Sequence, residues 1–227
     1  MQNNCRWHIL ETADQVALAV YDQILEAAEY SVARHGEFKL VLAGGSTPEK
    51  VYHLLAKSDV DWSKWYIYYG DERCLPVDHV DRNSLMANQC FLGKVAIPEG
   101  HIFTIPAELG PELGAEEYQK IVANALPFDM VLLGMGEDGH TASLFPGHQN
   151  GQYDLVHAVY NSPKPPSERV SISAGALSNT HNLIFMVTGT NKQEAVNAWR
   201  SGQDLPVASI NPKNAIDIYI DREAYKL

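Results

Sequence analysis

Asp138-Gly139-His140 lies in the run Gly134 to Pro146, which directly follows the apolar stretch Phe128–Leu133. Imidazole is the side chain best suited to moving a proton near neutral pH, and a carboxylate two positions away can fix its tautomer and keep it basic. Gly134, Gly136 and Gly139 formally match GxGxxG, but a dinucleotide does not fit. Pro146 stops the following helix within about two turns, and no acid stands ~20 residues beyond Gly139, where the chain reads Val159-Tyr160-Asn161. There is no GxSxG elbow and no HExxH, and Cys5, Cys74 and Cys90 sit in no catalytic thiol motif. The chemistry that suits these residues is water activated by a base, with no metal and no cofactor assigned.

Two further loops carry chemistry. Gly44-Gly45-Ser46-Thr47-Pro48-Glu49 follows Leu40 to Ala43. Ser46 or Thr47 can cap the next helix, Pro48 fits its first turn, and Glu49 stands where a capping box needs it. The same turn presents helix amides and a partial positive charge, which suits phosphate. From this loop alone a well-capped turn and a phosphate cradle stand side by side; GxxxxGK[ST] is absent, so it is no P-loop. Asp71-Glu72-Arg73 follows Trp65–Tyr69 and Gly70. It reads either as a surface ion pair or as a guanidinium fork for phosphate, with Asp71 orienting the Arg or a substrate hydroxyl.

The elements that must position these loops alternate. Short apolar strands are expected at 38–42, 65–69, 128–133, 183–187 and 215–220, near-continuously apolar and hence in a mostly parallel sheet buried on both faces. Helices are expected at 14–34, 49–57, 83–91, 115–125 and 192–200. Val16, Val20, Ile24 and Ala28 form one face of the first, and Gly36 is its stop. The fold class is α/β, a layered sheet with helices on both faces, and residues 1–227 read as one domain. Residues 161–167, with Pro163, Pro165 and Pro166, form a surface loop. In such a sheet ligands gather beyond the carboxyl ends of the strands, where all three loops lie.

Seventeen Lys+Arg against 28 Asp+Glu leave a net charge of −11. That balance argues against nucleic-acid or anionic-membrane surfaces and allows an anionic substrate only where the bases cluster. No apolar run approaches the ~20 residues of a membrane span, residues 1–10 lack the apolar core of a signal peptide, and three scattered cysteines without CxxC read as a reduced, cytoplasmic protein without structural zinc.

Together the pieces GGSTP at 44–48, DER at 71–73 and GMGEDGHTASLFP at 134–146 resemble the 6-phosphogluconolactonase family. The resemblance continues through Ser162 to Pro166, Arg169-Val170-Ser171, Thr188-Gly189 with Lys192, and Leu205-Pro206-Val207, and so spans about Leu40 to Val207. It implies the modified Rossmann-like fold shared with glucosamine-6-phosphate deaminase and ribose-5-phosphate isomerase. It also implies hydrolysis of 6-phospho-D-glucono-1,5-lactone to 6-phosphogluconate in the oxidative pentose phosphate pathway, by a monomer or small homo-oligomer acting on a small sugar phosphate. By that likeness His140 is the base, and Gly44, Gly45, Ser46 and Thr47 hold the phosphate with Arg73, Arg169 and Lys192. Asp138 and Asp71 join His140 as candidate catalytic residues. Tyr68, Tyr69, His79, Asn83 and His148 are available to line the sugar, and the sequence does not choose among them. The deaminase branch resembles Asp-Gly-His followed by Ala-Phe-Asn-Glu; here Thr141 to Pro146 follow, with no Glu. A non-catalytic sugar-phosphate sensor should lose the base and often gains a DNA-binding module; His140 is present and no basic helical module flanks it.

Overall fold

The fold is seen in a computed structural model that describes residues 4–148 and 154–226. Six strands form one sheet: β1 (Cys5–Leu10), β2 (Phe38–Leu42), β3 (Trp65–Tyr69), β5 (Phe128–Gly134), β8 (Thr180–Val187) and β9 (Ile216–Asp221). Their order is β1-β9-β8-β5-β2-β3, and every neighbouring pair is parallel. In β5 each residue from Phe128 to Leu133 is buried, so side chains on both faces of the pleat meet protein, as the near-continuous apolar run requires; the one acid, Asp129, accepts from the Lys39 amide and contacts His35.

Among the described residues six α-helices connect the strands: α1 (Ala13–His35), α2 (Ser46–Leu55), α3 (Asn83–Cys90), α4 (Pro111–Ala125), α5 (Ala174–Ser178) and α6 (Gln193–Arg200). In α1 the expected stripe of Val16, Val20, Ile24 and Ala28 is buried. Thr12 caps its start by accepting from the Gln15 amide, and Gly36 ends it at φ 90°.

Two features were not foreseen. The first is β1, whose charged Arg6 and His8 hide the strand signal. It is an edge strand, and both polar side chains pair with Asp217 on β9. The second is a small antiparallel sheet of β4 (Asp71–Arg73), β7 (Arg169–Ile172) and β6 (Val156–Val159), in the order β4-β7-β6. Asp71-Glu72-Arg73 is therefore a strand in its own right, reached from β3 through Gly70 alone.

The chain runs from β2 to β3 on one side and later places β5 on the other side of β2. The carboxyl ends of β2 and β5 thus flank a point where the strand order reverses, and a crevice opens there.

Candidate active site

A cavity of about 330 Å³ fills that crevice. Of the residues singled out from the sequence, Gly44, Gly45, Ser46, Thr47, Asp71, Arg73, His140, Arg169 and Lys192 all line it. Asp138 does not, but it supports one that does.

The first wall is the entry to α2. Gly45 occupies the N-cap position at φ 110° and ψ 167°, a backbone region that favours glycine, and no side chain caps the helix. Ser46 and Thr47 consequently fall inside the first turn, and the expected capping box does not form. Thr47 Oγ1 instead shares a 2.6 Å hydrogen bond with Thr188 Oγ1, beyond β8. First-turn amides left without a side-chain acceptor make the anion reading of this loop the better one.

The second wall is the β4–β7 ribbon. Arg73 pairs with Arg169 and Asp71 with Ser171 in antiparallel register. Directly opposed residues share a face, so two guanidinium groups 96 positions apart in sequence are brought side by side. Arg73 donates to the Asp81 carbonyl through Nη1, while its buried Nε has no hydrogen-bond partner. Arg169 is more committed. Its Nε donates to Pro166 O and its Nη2 to Lys164 O and Pro165 O, which pins the proline-rich loop; Nη1 stands 3.9 Å from Asp71 Oδ2. Arg169 is thus the brace of that loop as well as a cavity wall.

Glu72 points to the opposite face. It is fully buried, and its carboxylate accepts from the amides of Arg73, Asn83 and Ser84, all at 2.8 Å. It therefore caps α3, whose own N-cap, Arg82, supplies no side-chain cap. Arg82 Nε lies 3.3 Å from Glu72 Oε2. The surface ion pair considered from the sequence is absent; the acid beside Arg73 is an interior cap.

The third wall is the Asp-Gly-His turn. The Gly136 amide donates to His140 O at 2.8 Å, closing the loop and laying the imidazole over Gly136. Asp138 Oδ1 accepts from the His140 amide at 3.2 Å and lies 2.5 Å from Nδ1. A carboxylate there holds the proton on Nδ1 and leaves the Nε2 lone pair free. The imidazole keeps 17% of its surface exposed, enough for water to reach it. Burial pushes its pKa down, opposed by Asp138 and more weakly by Asp71. Burial pushes the Asp138 pKa up, but the hydrogen bond and charge of His140 outweigh it and hold the carboxyl below its usual range.

Asp71 does not bond His140. It accepts from Ser143 Oγ at 2.6 Å and from Asn83 Nδ2 at 3.3 Å, tying the ribbon to the loop that follows the Asp-Gly-His turn and to α3. A Cβ on Gly136 would sit 2.0 Å from His140 Nδ1 and 2.7 Å from Asp138 Oδ1. Gly136→Ala is therefore expected to dislodge the His–Asp pair. Steady-state kinetics should show kcat falling by about tenfold or more, as misplacement of a reacting group does, while the circular dichroism spectrum stays native.

Lys192 lies on the rim, its pKa lowered by burial and by the neighbouring Lys164. Lys164 also lines the cavity and is bridged to Glu137 at 2.7 Å. Two ammonium groups near one rim, with Arg73 and Arg169, concentrate positive charge in a chain of net −11. Lys164, Thr188 and Asn191 are lining residues that received no role from the sequence. Asn83 was one of five polar candidates for the sugar; Tyr68, Tyr69, His79 and His148 lie outside the lining, the two tyrosines buried in β3. The signal for Lys164 was its place between Pro163 and Pro165, a rigid loop presenting a cation.

A family profile described as glucosamine-6-phosphate isomerases/6-phosphogluconolactonase matches residues 11–219. The chain is 33% identical over 210 residues to "6-phosphogluconolactonase 3, chloroplastic" of Arabidopsis thaliana; the match covers 83% of this chain and 65% of that relative, just under two thirds of its length. A solved 6-phosphogluconolactonase from Thermotoga maritima superposes with a TM-score of 0.90 at 27% identity, covering 96% of this chain and 99% of that one. A monomeric glucosamine-6-phosphate deaminase superposes with a TM-score of 0.82 at 19% identity, a likeness of fold alone. The chain belongs to the glucosamine-6-phosphate isomerase/6-phosphogluconolactonase family.

Proposed function

We propose that this protein is a 6-phosphogluconolactonase, hydrolysing 6-phospho-D-glucono-1,5-lactone to 6-phospho-D-gluconate. The observation that carries the proposal is a mostly buried but solvent-reachable imidazole, locked by Asp138, at one wall of a cavity whose other walls carry four cations and an uncapped helix start. Relatives bearing the lactonase name support the choice of substrate.

In this reading His140 Nε2 takes a proton from water as the water oxygen attacks the lactone carbonyl. The resulting imidazolium is steadied by Asp138 and returns the proton to the departing ring oxygen. Cations and amides of the cavity stabilise the oxyanion. The helix start at Gly44 to Thr47, Arg73, Lys192 and the free side of Arg169 hold the phosphate dianion. Asp71, fixed by Ser143 and Asn83, orients Arg169 and the ring hydroxyls.

The test is a coupled assay: fresh lactone is made by glucose-6-phosphate dehydrogenase and product is followed by 6-phosphogluconate dehydrogenase. Enzyme-dependent acceleration above spontaneous opening is expected. Ammonia released from glucosamine 6-phosphate, without lactone hydrolysis, would overturn the proposal. Arg73→Ala should raise KM with a smaller effect on kcat, since it removes a phosphate donor distant from the ester carbon; an unchanged KM would remove Arg73 from the phosphate site.

The reactive form of His140 is neutral, and burial lowers its pKa below the ordinary imidazole value of about 6.5. kcat/KM should therefore rise with pH through a single limb lying below that value and stay flat through neutrality. Asp138→Asn removes the group that raises the His140 pKa, so the limb should move lower still as kcat falls. A limb above the ordinary value would contradict the assignment. Stability carries the same sign. The folded imidazole resists protonation, so its contribution is present above the ordinary value and declines as pH falls through the lowered one.

We also read residues 1–227 as one domain acting in the cytoplasm, as a monomer or small homo-oligomer. A single cooperative unfolding transition, cell fractionation and light scattering check these points.

A further inference from the structure

Away from the cavity, α2 and α3 bring together three side chains that the proposed reaction does not use. Glu49 and His53 stand one turn apart on α2, and Cys90 ends α3. Cys90 Sγ lies 3.6 Å from Glu49 Oε1, and His53 Nε2 lies 3.9 Å from the same oxygen. All three donor atoms fall within 4.8 Å of one another, and none of the three residues lines the cavity. Glu49 and His53 are about half exposed, while Cys90 lies buried just beneath them. As an ion pair alone, an exposed His–Glu contact at that distance contributes little. A protonated thiol facing a carboxylate gains little more.

The donor set suits something else. Four ligands at tetrahedral zinc stand ~3.5 Å apart, as bond lengths of about 2.0–2.3 Å require. The Glu49–Cys90 separation already meets this, and a small rotation of the exposed imidazole brings in the third ligand. One thiolate, one imidazole and one carboxylate form a borderline-soft set, which favours zinc over magnesium or calcium. Residues spaced 49, 53 and 90 form no CxxC-type motif, so the sequence offers no hint of them.

We propose that Glu49, His53 and Cys90 form a three-ligand site for Zn²⁺ that pins α2 to α3, with the fourth position left to water. Binding is balanced by release of one proton: the Cys90 S–H bond breaks, its electron pair forms the Zn–S bond, and the proton leaves to solvent.

The test uses the whole, reduced, chelator-stripped protein titrated with Co²⁺ and then Zn²⁺. One equivalent of Co²⁺ should develop a thiolate-to-cobalt charge-transfer absorption, which Zn²⁺ abolishes. Zn²⁺ should also release protons into a weakly buffered solution and raise the melting temperature. The absorption should be missing in Cys90→Ala. His53→Ala, changed at an exposed position that the fold does not need, should weaken Co²⁺ affinity by about tenfold or more, the loss that even outer-shell changes produce. His140→Asn should leave the titration unchanged. Absence of the absorption in the unaltered protein, its survival in Cys90→Ala, or full affinity in His53→Ala would overturn the proposal.

Discussion

His140→Asn is expected to lower kcat by about 10²–10⁴-fold, the range that a well-placed acid–base group contributes. The amide keeps much of the ring's hydrogen-bonding shape and can still face Asp138, but it cannot take a proton from water. In the proposed reading KM should move little, because the groups assigned to the phosphate lie on other walls: the α2 entry, Arg73 and Lys192. The lactone also opens unaided, so the rate must be read above a blank. The circular dichroism spectrum should be unchanged, since the partly exposed ring lies at the mouth of the sheet and outside the hydrophobic core. A variant with near-normal turnover would remove His140 from the chemistry and return the loop to a purely structural role.

Glu72→Ala is expected to have the largest effect on stability, about 3–5 kcal/mol, the cost of breaking a buried charge pair from one side. Three backbone amides lose their acceptor at once. Arg82, 1% exposed, keeps only its partly exposed partner Glu108 at 3.0 Å, together with the Leu75 and Ile105 carbonyls and the Ser84 hydroxyl. The start of α3 loses its cap, and with it the placement of Asn83 against Asp71. Urea unfolding measures this directly. Glu72→Gln, whose amide oxygen can still accept from the same amides, should recover part of the loss. A change within about 1 kcal/mol in Glu72→Ala would mean that the cap is dispensable.

Much of this was readable from residue order because the parallel sheet advertises itself. Its inner strands are near-continuously apolar, with few polar interruptions such as Lys39 and Asp129, and glycine, serine and histidine follow them closely. The Asp138–His140 pairing was half legible: a spacing of two puts a carboxylate within reach of the ring, but the choice of Asp138 over Asp71 rests on the fold, which turns Asp71 to Ser143. The small sheet was not legible, because Asp71–Arg73 is three charged residues and β-propensity has no purchase on so short a run. Strand β1 was hidden because its outward charges answer Asp217, more than two hundred positions away. The helix entry at Ser46 invited a capping box, and only the φ of Gly45 shows that the cap position had moved back by one residue. Lys164 and Asn83 needed tertiary contacts to reveal their place: one sits at the crest of a loop held by Arg169, the other on a helix tethered by Glu72.

The alternation along Asp71-Glu72-Arg73 makes that segment a two-sided part, with an acid inward for α3 flanked by two side chains outward for the ligand. Neighbouring residues on a strand face opposite ways, so slipping the chain by one position would either turn Arg73 toward the helix in place of its acid or set Glu72 where Arg73 meets the crevice. Either slip puts the wrong sign against one partner. Individual side chains on this ribbon can therefore be exchanged in evolution, but its length between Gly70 and Cys74 cannot drift.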